Sequence, residues 1–120
     1  MRKIQFVAAA CLSLAACSAG PEDTARGFME DKAAGRTAEA MQRMDPAMAQ
    51  TVGPIIAAVL ATEAAKGKSH GGLKNVSVAE IVKADADHAI VRAEGHYGDG
   101  TVAREQTKLR RVDGTWYVTM

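Results

Sequence analysis

Cysteine is the first scarcity. The chain holds two, Cys11 and Cys17, too few for a disulfide framework and without the paired Cys/His spacing of a structural zinc site. Aromatic residues make up 4% of the chain, which leaves no stacking platform for nucleobases. No charge excess exists either: 15 basic and 14 acidic side chains give a formal net charge of +1, so there is no electrostatic case for nucleic acid. Internal repeats and low-complexity tracts are absent. Gly67-Lys68-Ser69 looks like the tail of a phosphate-binding loop, yet Thr62 stands where that motif needs glycine and the preceding segment reads as helix.

What is present begins at the N-terminus. Met1-Arg2-Lys3 is a basic start, Ile4 to Leu14 is apolar, and Ala15-Ala16 supply the small residues that precede a signal-peptidase cut. The apolar run is too short for a bilayer core, which takes about 20 helical residues. Residues 1–16 therefore read as a signal peptide.

Leu14-Ala15-Ala16-Cys17 resembles the lipobox of bacterial lipoproteins, in which cleavage after the residue matching Ala16 leaves an acylated cysteine, here Cys17. That resemblance implies lipidation at Cys17 and retention on a membrane, because two or three acyl chains hold far more firmly than one. Ser18 rather than aspartate follows, which by the sorting rule of enterobacterial-type lipoproteins implies the outer membrane, periplasmic side. Residues 17–20 form a short tether, roughly 10 Å long at about 3.3–3.6 Å per extended residue. Removing Arg2 and Lys3 leaves 13 basic against 14 acidic side chains, and with Cys17 acylated no free thiol or disulfide remains.

Residues 21–120 suit one domain whose halves differ in composition. Pro21 to Lys66 is rich in Ala, Met, Glu and Arg, whereas Val, Ile, Thr, Trp and Tyr gather in alternating runs after Val76. A first helix starts at Pro21, with Glu22 and Asp23 at its positive end and Gly35 closing it, and directs Phe28 and Met29 to the core. A second starts at Thr37 as N-cap and presents Met41 and Met44. Asp45-Pro46 reads as another cap, Gly53-Pro54 as an interruption. Ile55, Ile56, Val59, Leu60 and Ala64 then form one buried stripe of the main packing helix. Met41, Met44 and Met48 fill the core more readily than they form a binding surface.

Gly71-Gly72 marks the passage into the sheet. Val76, Val78 and Val82 alternate along a first strand, and Ala89, Val91, Ala93 and Tyr97 along a second. Gly98-Asp99-Gly100 turns into a third strand through Leu109, and Asp113-Gly114 makes a hairpin to Trp116, Val118 and Met120. The pattern is an α+β domain: N-terminal helices packed on a curved antiparallel sheet of about four strands.

Gly71-Gly72-Leu73-Lys74, Asp87-His88-Ala89-Ile90-Val91, Tyr97-Gly98-Asp99-Gly100 and Leu109-Arg110-Arg111-Val112-Asp113-Gly114-Thr115-Trp116 resemble small bacterial lipoproteins of unknown function with a nuclear transport factor 2-like, or cystatin-like, domain. The resemblance implies a sheet curved around a helix into a cone, which some members use for catalysis or ligand binding. Fold alone does not give function. The inward row of Ala89, Val91, Ala93, Trp116 and Val118 is apolar, and Tyr97 is its polar member. Candidate pocket residues are Tyr97, Trp116, Val91 and Phe28.

No catalytic residue, metal site or cofactor is expected. His88 and His96 share a face with Arg92 and Glu94, where solvated side chains outweigh a weak metal site with Asp85 and Asp87; His70 stands alone in a glycine-rich loop. Lys66, Lys68 and Lys74 read as a solvated basic loop, the alternative being contact with anionic headgroups. The function expected is that of a lipid-anchored, non-catalytic periplasmic binding or scaffolding protein, with the membrane lipid and an envelope protein as partners. The alternatives are an immunity protein against a periplasm-targeted toxin, and a small-molecule carrier or enzyme using the cone. Pairing of two copies through the open sheet face would use His88, Ile90 and Arg92.

Overall fold

The computed structural model describes residues 20–119. The signal segment 1–16, Cys17, the tether residues before Gly20, and Met120 lie outside the described residues.

Local chemistry sets the helix ends. Helix α1, Pro21–Ala34, opens with proline in its first turn, Glu22 and Asp23 beside the dipole's positive end, and Lys32 in its last turn. Gly35 takes φ 78°, a left-handed conformation that costs glycine nothing, and the Gly35 and Arg36 amides close on the Lys32 and Asp31 carbonyls. Helix α2, Thr37–Gln42, takes Arg36 rather than Thr37 as N-cap, with no side-chain bond. Helix α3, Pro46–Ser69, is capped by Asp45, whose Oδ1 accepts from the Ala47 amide at 3.1 Å.

One helix expectation holds and another needs correction. Gly53-Pro54 marks an interruption: α3 is two helical stretches joined across a kink at Val52, φ −123° and ψ 20°. Proline removes one amide and crowds the carbonyl four residues back, so the chain bends there and then continues. The expected stripe divides. Ile56 and Leu60 are buried, whereas Ile55 is 66% and Val59 52% exposed. Residues one position apart differ by about 100° around a helix, and only the 56/60 row meets the core.

The sheet is a four-stranded antiparallel meander, β1 Leu73–Ala84, β2 His88–Tyr97, β3 Val102–Val112 and β4 Thr115–Thr119, in the order β1-β2-β3-β4. Asp113 at φ 51° and Gly114 at φ 80° give the two positive angles of a two-residue hairpin, pairing Val112 with Thr115. Register shifts after Leu73, Val78 and Ile81 interrupt the β1 ladder. They alter the inward alternation expected for β1: Val76 is buried, Val78 half-buried and Val82 exposed.

Ala89, Val91, Ala93 and Gly95 form the fully buried inner row of β2. A Cβ on Gly95 would lie 3.1 Å from Leu73 Cδ1 and 3.5 Å from Met29 Cε, so the small side chains let α1 approach closely. Ala89 and Val91 join Ala25, Ala40, Met44, Ile56, Leu60, Leu109 and Val118 in one core cluster. Met44 and its neighbours cover the β4 edge: the Asp45 amide donates to the Val118 carbonyl at 2.8 Å, and the Val118 amide to the Arg43 carbonyl at 2.7 Å.

Two buried carboxylates tie elements together, one within the helical layer and one between helix and sheet. Asp31, its side chain 8% exposed, accepts from Arg36 Nε at 2.8 Å and Arg43 Nε at 2.7 Å. Burial alone would raise its pKa, but the hydrogen bonds and charges of Arg43 and Arg36 outweigh that and hold it below the usual carboxylate range. Asp45 receives Arg110 Nη1 at 2.7 Å, joining the start of α3 to β3.

A candidate polar cleft at the end of helix α3

Backbone contacts join two glycine-rich turns. The Gly98 amide donates to the Gly72 carbonyl at 2.9 Å and the Asp99 amide to the His70 carbonyl at 2.9 Å. Gly71, at φ 88°, lies so close to Gly98 that a Cβ on it would be 3.1 Å from the Gly98 Cα. The zipped turns bring His70, at the end of α3, to Asp99, in the turn between β2 and β3.

His70 Nδ1 is 2.9 Å from Asp99 Oδ2. The Thr101 amide donates to Asp99 Oδ1 at 2.9 Å, and the Thr101 hydroxyl is 3.4 Å from His70 Nδ1. Hydrogen bonds from the Thr101 side chain and backbone, followed by the His70 ring, hold the Asp99 pKa at about 2. Asp99 is therefore a carboxylate at neutral pH and can only accept, which assigns the proton to His70 Nδ1. In the unprotonated form of that ring Nε2 is the acceptor.

These residues border a cleft of about 210 Å³ lined by Glu63, Lys66, Gly67, His70, Tyr97, Thr101, Ala103 and Glu105. Gly67 makes room for the Tyr97 ring, since a Cβ there would be 3.3 Å from Tyr97 Cε2. The His70 and Tyr97 rings meet edge to face at 6.1 Å between centroids. Burial, then the Glu105 and Glu63 carboxylates, push the Tyr97 hydroxyl above its ordinary pKa, so it stays a neutral hydrogen-bonding group. Lys32 Nζ binds Glu105 Oε1 at 2.7 Å. Glu63 and Lys66 take part in no ion pair among the described residues.

Of the four candidate pocket residues, only Tyr97 reaches this cleft. Val91 is completely buried because Ile56, Leu60 and Ala25 fill the middle of the cone. Phe28 is half-buried, with the Lys32 ammonium over its ring at 5.5 Å. Trp116 packs near the start of α1, where Thr24 Oγ1 donates to its carbonyl at 3.5 Å, and carries the Arg111 guanidinium on its ring. The four do not share a cavity: packing fills the centre of the cone and leaves its two ends apart.

On the outer sheet face, His88 and His96 each meet one carboxylate, Asp85 at 3.5 Å and Glu94 at 3.8 Å. Arg92 and Arg104 pair with Glu80 and Glu94. No group of three metal-ligating side chains converges among the described residues. The sequence reading missed the pairing of His70 with Asp99. Its available signal was the glycines flanking both residues, which permit close backbone approach.

An antiparallel sheet curved over helices, with a cleft at one end of the cone, defines a nuclear transport factor 2-like (NTF2-like) domain. Within that class the chain belongs to the family described as a domain of unknown function, DUF4878, whose profile matches residues 15–119. A Campylobacter jejuni protein, provisionally described as an NTF2-like transpeptidase and known from a crystal structure at 2.00 Å resolution, superimposes with a TM-score of 0.78 at 28% identity. The match covers 85% of this chain and 99% of that one. Comparison with curated proteins gives no match.

Proposed function

We infer that this is a lipid-anchored binding protein of the bacterial envelope, held at the periplasmic face of the outer membrane by acylated Cys17, whose cleft takes a small zwitterionic group. One observation carries the binding role: Glu63 and Lys66, oppositely charged and without ion-pair partners among the described residues, share a cleft with His70 and Tyr97. A carboxylate suits a ligand ammonium, a lysine suits a ligand carboxylate, and the His70 acceptor and Tyr97 hydroxyl add polar contacts. The volume of about 210 Å³ lies below the 300–1,000 Å³ typical of drug-sized sites, so it accommodates a group of amino-acid size.

Anchoring draws on the lipobox resemblance, and the family match includes Ala15, Ala16 and Cys17. Cys17→Ala should abolish palmitate labelling and membrane retention while leaving the far-UV circular dichroism spectrum unchanged. Binding is tested by NMR titration with alanyl-alanine, using ethylamine and acetate as single-charge controls. The dipeptide should shift the Gly67, His70 and Tyr97 amides, and Glu63→Gln combined with Lys66→Gln should remove the response. Equal shifts in that double variant and the parent would defeat the binding assignment.

A second reading, acid–base catalysis, draws on the His70–Asp99 pair and on the description of the Campylobacter jejuni protein. Acyl transfer also needs a nucleophile beside the free histidine nitrogen. The two hydroxyls of serine or threonine type near it are placed elsewhere: the Thr101 hydroxyl lies on the Nδ1 side, and the Ser69 hydroxyl donates to the Lys66 carbonyl at 2.7 Å. This arrangement favours binding. Turnover of an envelope peptide that disappears in His70→Ala would reverse the preference.

A further inference from the structure

We propose that the outward face of α3 lies on an anionic lipid bilayer beside the chain's own membrane anchor. A solvent-facing helix side is ordinarily polar and charged. Here Pro54, Ile55, Ala58 and Val59 form an exposed apolar patch completed by Thr62. The one acidic residue of α3, half-buried Glu63, lines the cleft, and the charged residues exposed on this helix are Lys66 and Lys68. The helix is also long and apolar enough to cross a membrane by length and composition, yet Ile56 and Leu60 commit its other face to the protein core. An apolar row followed at its C-terminal end by Lys66 on the same side of such a helix fits the lipid interface.

The position of the chain outside the described residues identifies the occupant. Both long helices start at β4, Thr24 contacting the Trp116 carbonyl and the Asp45 amide the Val118 carbonyl. They also end together: a Cβ on Gly67 would lie 3.9 Å from the Ala33 carbonyl oxygen, and one on Gly35 would lie 3.9 Å from Ala64 Cβ. Counting back at about 1.5 Å per residue, Pro54 lies about 20 Å before Gly67 and Pro21 about 18 Å before Ala33. The Pro54–Ile55 end of the patch is thus level with Pro21, one helix spacing of about 8–10 Å away, and the rest runs about 12 Å onward along α3. Cys17 is separated from Pro21 only by Ser18, Ala19 and Gly20, a tether of roughly 10 Å. An anchor that short holds the bilayer at the depth of this patch.

The proposal uses the anchoring reading to locate the bilayer, so its test supplies the anchor chemically. The chain from Cys17 to Met120 is coupled through the Cys17 thiol to a single-chain lipid, whose own membrane binding is marginal. It is then partitioned onto vesicles of phosphatidylethanolamine and phosphatidylglycerol. Ile55→Glu and Val59→Glu should each lower the partition coefficient at least tenfold, with unchanged melting temperatures because both sites are exposed. Arg104→Glu, on the outer sheet face, should change it less than twofold, and omitting phosphatidylglycerol should weaken the parent several-fold. A change below twofold in both patch variants overturns the proposal. So does a dimer in sedimentation that the patch variants dissociate while partition stays constant, since the occupant would then be a second copy. Failure of Cys17 to acquire lipid in cells would defeat the anchoring reading and leave this partition result standing.

Discussion

Gly27→Ala isolates how the helical layer is held together. Gly27 is buried inside α1, directly beneath the Arg43 guanidinium, and a Cβ there would overlap that group. Arg43 cannot move away freely, because its Nε binds the buried Asp31 carboxylate at 2.7 Å. Two effects oppose one another. Alanine in a helix interior is worth about 0.9 kcal/mol over glycine. Displacing Arg43 forfeits a charge-assisted hydrogen bond of about 1.5 kcal/mol, the lower end of its range, because the arginine side chain is 40% exposed and can rehydrate. The single variant should therefore be less stable by about 0.5 kcal/mol, despite better helix propensity. In an Arg43→Ala background the obstruction is gone, and Gly27→Ala should stabilise by about 0.9 kcal/mol. Urea unfolding of the four proteins of this cycle, followed at 222 nm, should give a coupling of about 1.5 kcal/mol. A coupling below about 0.3 kcal/mol, the scatter expected of independent sites, would refute the reasoning.

The two rows of α3 should respond differently: Leu60→Ala should cost about 3 kcal/mol and Val59→Ala less than about 0.5 kcal/mol in the same urea assay. Asp31 and Asp99 both have lowered folded-state pKa values, so each contributes stability above the unfolded value near 3.9 that is lost as acid protonates the folded form. For Asp99 that window runs from about pH 4 to about 2, and Asp99→Asn should flatten the stability profile there; an unchanged slope would mean that its bonds to Thr101 and His70 do not persist in solution. Tyr97→Phe should leave the fold intact, because the ring packs against Gly67, while weakening the alanyl-alanine response; an unchanged response would remove the hydroxyl from the site.

Much of the architecture was legible because its determinants are local. Pro21 and Gly35 bracket α1, Asp45-Pro46 starts α3, and Asp113-Gly114 closes the last hairpin, each through conformational preferences acting over a few residues. The inward row Ala89-Val91-Ala93 followed from strand alternation, which holds while the register is unbroken. The bulged β1 escaped the same rule, since its bulges are set against β2. The order of helices and hairpins made the α+β class legible, and the resemblance of the runs Gly71–Lys74, Asp87–Val91, Tyr97–Gly100 and Leu109–Trp116 to a known family implied the NTF2-like class.

The candidate site was much less legible. Tyr97 stood out as the polar end of an apolar row, but His70 and Asp99 read separately as loop residues 29 positions apart. Lys66 read as part of a solvated basic loop, and Glu63 carried no signal of its own. Sequence by itself determined element order, turns, most helix ends and the inner row of β2, because these answer to local backbone preferences and hydrophobic period. Only the tertiary structure decided which row of α3 was left uncovered and which two turns met around the cleft. Both depend on how closely elements distant in sequence approach, and that distance is set by Gly67, Gly71, Gly95 and Gly98 acting through side chains they do not have.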